Sequence, residues 1–216
     1  MDLIKELESP TFGSTKKEFQ KHCLEMAKEL FRDYCIDCNG KEYYFAEVEF
    51  YYWQKGEDNK WNEKWNRVTY PRICKAKNLF FHLSGMDICF ESNYKDSNAK
   101  SGGILVRALA DEHNNIIVGP WICMLEMLNL CQGKNMPVFR KKENKREWHP
   151  VVLPAKRSLG KTAMKENLDE ELNLCFYDSS IPEKKWKEQK TISINKKTGE
   201  INIGSSSYNL NRFELS

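Results

Sequence analysis

The chain has 216 residues, 40% of them hydrophobic and 12% aromatic, which suits one globular domain with a real core and excludes a disordered chain. Its 34 basic and 31 acidic residues nearly balance, so the formal charge of +3 does not by itself point to a nucleic-acid partner. No apolar run approaches the roughly 20 residues of a membrane helix, and MDLIKELESP lacks a signal peptide's apolar core, so the expectation is an intracellular, cytoplasmic protein with no membrane partner.

Residues 15–31 read as an amphipathic helix. Thr15 and Glu18 have capping-box spacing, and Phe19, Cys23, Met26, Ala27, Leu30 and Phe31 fall at helical intervals. Residues 34–52 read as a hairpin turning at Asn39-Gly40. Cys35 and Cys38 in its first strand form a CxxC without a second ligand pair, so no metal is expected. In the second strand, strict alternation puts Ala46, Val48, Phe50 and Tyr52 on one face and Glu47, Glu49 and Tyr51 on the other. The two carboxylates then lie roughly 7 Å apart. Residues 53–68, with Trp53, Trp61 and Trp65, read as a long loop beside a cleft.

Two apolar segments around Ser84-Gly85 read as paired strands, and GGILVRAL at 102–109 as a strong strand. Arg107 interrupts that apolar run, and a buried arginine needs an anionic partner. Gly119-Pro120 opens a helix. The following loop gathers Lys134, Arg140, Lys141, Lys142, Lys145 and Arg146, a stretch fit either for solvent or for phosphate. Residues 151–178 read as a strand-like start, a helix-like middle and a closing strand. The tail holds a hairpin around 196–199. The fold class expected is α+β, one domain over 1–178 with a C-terminal extension, 179–216, packed on it.

In this order the segments resemble the alkyladenine (methylpurine) DNA glycosylase family. The carriers are AEVEFYY, LFFHLSGMDICFES, GGILVRAL, Gly119-Pro120 and KRSLGKTAMKENLDEELNLCFY. The resemblance implies a mainly antiparallel, curved sheet of the formyltransferase C-terminal-domain type flanked by helices. It also implies an N-glycosidic hydrolase of base-excision repair that needs no cofactor or metal and has DNA or another purine nucleotide as partner. Such enzymes flip a nucleotide out of the duplex and stack its base between aromatic rings. By resemblance, Glu49 is the general base and Arg107 its positioning partner. Tyr51 and Phe81 stack the base, Met86 and Glu91 complete the pocket, and Ser84 holds the wedge position. Arg140, Lys141, Lys142, Lys145 and Arg146 are the expected nucleic-acid contacts. A monomer is expected.

Three positions depart from the family pattern. Ser84 is too small to fill the gap a flipped base leaves. No histidine lies between Tyr51 and Phe81. Glu91 stands where the family has an asparagine and can only accept hydrogen bonds when ionised. These departures point toward an unstacked substrate, single-stranded nucleic acid or a free nucleotide. Two alternatives are a non-catalytic nucleic-acid-binding protein that retains the fold and an interaction module whose aromatics are all core.

Overall fold

Thr15 starts the main helix as its capping-box spacing with Glu18 requires. Its side chain accepts from the Glu18 backbone N–H, and Glu18 reaches back to the Thr15 N–H. This helix, α2 (Lys16–Asp33), follows a short α1 (Leu3–Glu8) that Asp2 caps. The structure, a computed structural model, describes residues 1–56, 69–131, 135–143, 149–155, 174–182 and 186, with the backbone of 192–195, 200–203 and 206–209. The expected loop tryptophans Trp61 and Trp65, the helix-like middle of 151–178, and Lys134, Lys145 and Arg146 lie outside the described residues.

The hairpin forms as expected from β1 (Tyr34–Cys38) and β2 (Lys41–Gln54). Asn39 and Gly40 both take positive φ, 55° and 83°, the demand of a tight two-residue turn. Then come β3 (Ile73–Cys74), β4 (Leu79–His82), β5 (Gly85–Cys89), β6 (Ser92–Asn93), β7 (Lys100–Ala110) and β8 (Ile116–Val118). Helix α3 (Pro120–Cys131) begins with Pro120 at its first position. β9 (Val138–Lys141), β10 (Val152–Ala155) and β11 (Cys175–Asp178) complete the main sheet.

The result is a mixed α+β domain built on a curled antiparallel sheet in the order β10-β11-β2-β7-β5-β4. β2 and β7 are its spine. Along one edge β2 pairs first with β1 and then with β11, while β7 pairs in turn with β6, β5 and β8. Two long strands that change partners along their length force the sheet to curl. Three further strands, β12 (Ile192–Asn195), β13 (Glu200–Ile203) and β14 (Ser206–Asn209), form a separate antiparallel sheet. The tail hairpin was expected; its third strand was not.

One face of the main sheet is the core. Val48, Phe50, Tyr52, Met86, Ile88, Ile104, Val106 and Phe176 meet the buried faces of α2 and α3 there. Burying a side chain of this size is worth about 1.5–3 kcal/mol. The strict alternation expected of β2 fails at one place. Phe45 pairs with Leu109 and Val48 with Val106, but between them only Glu47 and Ala108 pair, leaving Ala46 and Arg107 as extra residues on facing strands. The in-out phase therefore flips. Tyr43 and Phe45 join the core, as do Val48 and Phe50 beyond the irregularity, while Ala46 packs on the other face with Ala108 and Ile181.

Candidate active site

The outer face of the spine carries the ionisable groups. Beyond the bulge Glu47 and Glu49 share that face of β2, and Arg107 rises between them from β7. Arg107 Nε donates to Glu47 Oε1 at 2.9 Å and Nη1 to Glu49 Oε2 at 2.8 Å. The bulge supplies this geometry: Arg107 is the β7 residue without a ladder partner, and its carbonyl instead accepts from the Gly119 N–H at the start of α3. The expected anionic partner of the buried arginine is thus two carboxylates. Burial acts to lower the guanidinium's pKa and is the largest single influence on it. Glu49 and Glu47 together outweigh that, so the group sits above its ordinary value. Side-chain exposure is 9% for Glu49 and 22% for Glu47, so Glu47 is the more open of the pair.

Tyr51, the next residue on the face, belongs to a different group. Gly103 stands opposite it on β7 and makes room: a Cβ there would lie 2.8 Å from the Tyr51 hydroxyl and 3.0 Å from Asp87 Cβ. Through that gap the Tyr51 hydroxyl donates to Asp87 Oδ2 and accepts from Arg72 Nη2. Arg72 Nη1 also donates to Asp87 Oδ2 at 2.9 Å, and the guanidinium lies 4.3 Å from the Phe80 ring centroid. Burial above all, and then Asp87, push the Tyr51 hydroxyl well above its usual pKa, so it remains a donor. His82 Nδ1 accepts from the Ser84 N–H, and its Nε2 lies 3.0 Å from Asp87 Oδ2. Partly buried Leu105 separates the two groups, pairing with Glu49 on one side and Asp87 on the other. Arg72, Asp87 and His82 were not singled out from sequence.

The expected aromatic sandwich does not assemble. Phe81 pairs with Met86 on the core face, and Met86 is fully buried there. Phe80, one residue earlier, is the aromatic on the outer face. The error is one of phase, since strand side chains alternate and a one-residue slip reverses the face. Glu91 does not floor a pocket beside Glu49 either. It holds Lys75 at 2.9 Å and the Ala76 N–H at 3.0 Å, bracing the β3–β4 connection. Ser84 lies exposed at the β4–β5 turn beside Leu83, which is 94% exposed.

The described part of the basic loop is committed internally. Arg140 binds Asp37 at 2.5 Å, Glu42 at 3.1 Å and Glu143 at 3.2 Å. Lys142 Nζ donates to the carbonyls of Phe31 and Arg32 at the end of α2, a C-terminal cap. Lys141 lies over the Tyr34 ring. The expectation of phosphate contacts therefore fails for Arg140 and Lys142, because a phosphate would have to displace partners that β9 brings as it pairs with β1.

The CxxC cysteines diverge as strand geometry requires. Cys35 contacts the Arg140 carbonyl of β9 and Cys38 contacts Met127 of α3. Burial first, with Glu42 next, pushes the Cys35 thiol up to about 12. Cys74 behaves differently. It alone of the eight cysteines is only partly buried, and the Cys89 thiol hydrogen-bonds to it near Arg72. That hydrogen bond first, and the Arg72 charge as well, outweigh burial and lower it to about 7. Iodoacetamide at about pH 7.5 is expected to label Cys74 ahead of the other seven, as peptide mass mapping would show. Labelling that begins at Cys35 or Cys38 is the contrary result.

A cavity of about 250 Å³ opens beside Glu47, lined by Ala155, Tyr177 and Trp186. Tyr177 pairs directly with Glu47 in the ladder, and its ring meets Trp186 at 6.3 Å and 84°. The alternation that exposes Glu47 was legible in sequence; nothing local in the chain announced that Trp186 would join it. Among the described residues no group of three or more His, Cys, Asp or Glu is placed to hold a metal ion, and no helix is long and apolar enough to cross a membrane. No family model, no curated protein and no solved structure matches this chain.

Proposed function

We propose that the chain is an N-glycosidic hydrolase resembling the alkyladenine DNA glycosylases, with the corresponding formyltransferase C-terminal-domain type of sheet. Its substrate is a modified purine in nucleic acid or in a nucleotide. The observation that carries this reading is the contact between Glu49 and Arg107 on the outer face of the sheet. Glu49 takes a proton from water as the water attacks the anomeric carbon and the base leaves with the bonding pair. Arg107 fixes the carboxylate in place. The carboxylates themselves, as anions, stabilise the cationic sugar. At the β4–β5 turn Ser84 offers no bulk, but the exposed Leu83 beside it is an apolar side chain of the kind that can enter a base stack.

The test is release of free base from alkylated single- and double-stranded DNA and from alkylated purine nucleosides, followed by chromatography. Release from at least one substrate is expected. No release from any of them, with the chain shown to be folded by circular dichroism, removes the proposal. A binding protein working through the 134–146 loop is not favoured, because Arg140 and Lys142 already have partners.

A further inference from the structure

We propose that Cys74 and Cys89 form a reversible oxidation site for hydroperoxides, in which Cys74 attacks the peroxide and Cys89 closes a disulfide onto it. The site is separate from Glu49 and Arg107 and does not depend on the hydrolase reading. A tight connection brings the two cysteines together. After Cys74 ends β3, the chain turns through residues 75–78, where Lys77 takes a φ of 72° and the Asn78 N–H donates to the Lys75 carbonyl at 3.3 Å. That turn clasps Cys89. The Lys77 N–H donates to the Cys89 carbonyl at 3.0 Å, and the Cys89 N–H donates to the Asn78 carbonyl at 2.9 Å. The thiols of Cys74 and Cys89 consequently meet in a hydrogen bond. A disulfide needs its sulfurs about 2.05 Å apart, so thiols already in contact need only a small rotation to form one.

Exposure and charge set this pair apart. Cys89 is fully buried, whereas Cys74 is partly open to solvent, so of the two only Cys74 meets a dissolved oxidant. Arg72 Nη1 donates to Cys89 Sγ at 3.5 Å, which puts a cation beside the sulfurs. The thiolate is the reactive form of cysteine, and the Cys89 hydrogen bond, with the Arg72 charge behind it, holds Cys74 at about 7. Cys38 and Cys131 hydrogen-bond to each other as well, but both are buried, and burial above all pushes the Cys38 thiol up. That pair is expected to stay reduced.

The Cys74 thiolate attacks an oxygen of the hydroperoxide and the O–O bond breaks. The departing oxygen takes a proton from solvent and leaves as water or an alcohol, and Cys74 becomes a sulfenic acid. The Cys89 thiol then attacks the Cys74 sulfur, the S–O bond breaks, and the hydroxide leaves as water with the Cys89 proton. Arg72 steadies the negative charge that grows on Cys89 in this step. The two thiols lose two electrons, and the peroxide gains them. A dithiol returns the site to its reduced form by exchange.

The full chain, reduced and freed of reductant, is treated at about pH 7.5 with an equimolar amount of hydrogen peroxide, blocked with iodoacetamide and mapped by peptide mass spectrometry without reduction. The first product expected is the peptide pair joined through Cys74 and Cys89, and dithiothreitol is expected to restore both thiols. Cys89→Ala is expected to stop at the sulfenic acid, so that dimedone labels Cys74 and no disulfide forms. Cys74→Ser is expected to slow the loss of thiols about ten-fold or more. A first disulfide between Cys38 and Cys131, or between any other two cysteines, overturns the proposal. So does an unchanged rate of thiol loss in a folded Cys74→Ser chain, or a native chain in which Cys74 passes on to the sulfinic acid without a disulfide. Where Cys89→Ala does not fold, Cys89→Ser, which is closer in size and equally unable to form a disulfide, is read instead for dimedone labelling at Cys74.

Discussion

Glu49→Gln is expected to lower base release by about 10³-fold while leaving the fold in place. The glutamine carbonyl can still accept from Arg107 Nη1, so the side chain stays where it is. What is lost is basicity: an amide cannot take the proton of the attacking water. Glu47 keeps the second contact to the guanidinium, so Arg107 does not become an unpaired buried charge. The melting temperature is therefore expected to move by only about 2–4 °C, the equivalent of roughly 1 kcal/mol in a chain of this size. Glu47→Gln is the essential control. It leaves Glu49 and its Arg107 contact in place, so it is expected to lower base release far less than Glu49→Gln does. If Glu47→Gln silences release and Glu49→Gln does not, the roles of the two carboxylates are exchanged.

The largest effect on stability is expected at Arg72. Arg72→Met leaves the fully buried Asp87 carboxylate without its cation and removes a donor from the Tyr51 hydroxyl. Breaking a buried pair from one side costs about 3–5 kcal/mol, which is roughly 6–20 °C in melting temperature. Arg72→Met combined with Asp87→Leu should recover part of that loss, since no charge is then stranded. The coupling read from this double-mutant cycle separates the ion pair from the packing of Arg72 on Phe80. A loss below about 1 kcal/mol in Arg72→Met would show that water or another group compensates Asp87.

These two sites differ in how far they could be read from the residues. Arg107 inside an apolar strand demanded an anion, and Glu47 and Glu49 offered a pair on one strand face, so that contact was legible through electrostatics and alternation. The turn at Asn39-Gly40, the capping box of α2 and the opening of α3 were legible because each depends on a few adjacent residues. Phe80 and Phe81 were not separable, because two neighbouring aromatics leave the phase of a short strand open. Arg72, just before β3, and Asp87, on β5, meet only through the curl of the sheet, 15 residues apart in sequence. The strand β9 was hidden by its charge: Val138–Lys141 reads as part of a basic loop until Arg140 is seen bound to Asp37 and Glu42.

The paired irregularity in β2 and β7 bears on what a change of chain length would do to the Glu49–Arg107 contact. Ala46 and Arg107 are the two residues for which a regular ladder has no place, one on each strand. Without both, Phe45, Glu47 and Val48 would alternate without a break against Leu109, Ala108 and Val106. The same hydrogen-bonded ladder would close with no arginine on its outer face. The guanidinium that holds Glu49 thus depends on the length of both strands as well as on residue identity. Deleting Ala46 and Arg107 together is expected to leave a regular ladder whose outer face lacks that contact.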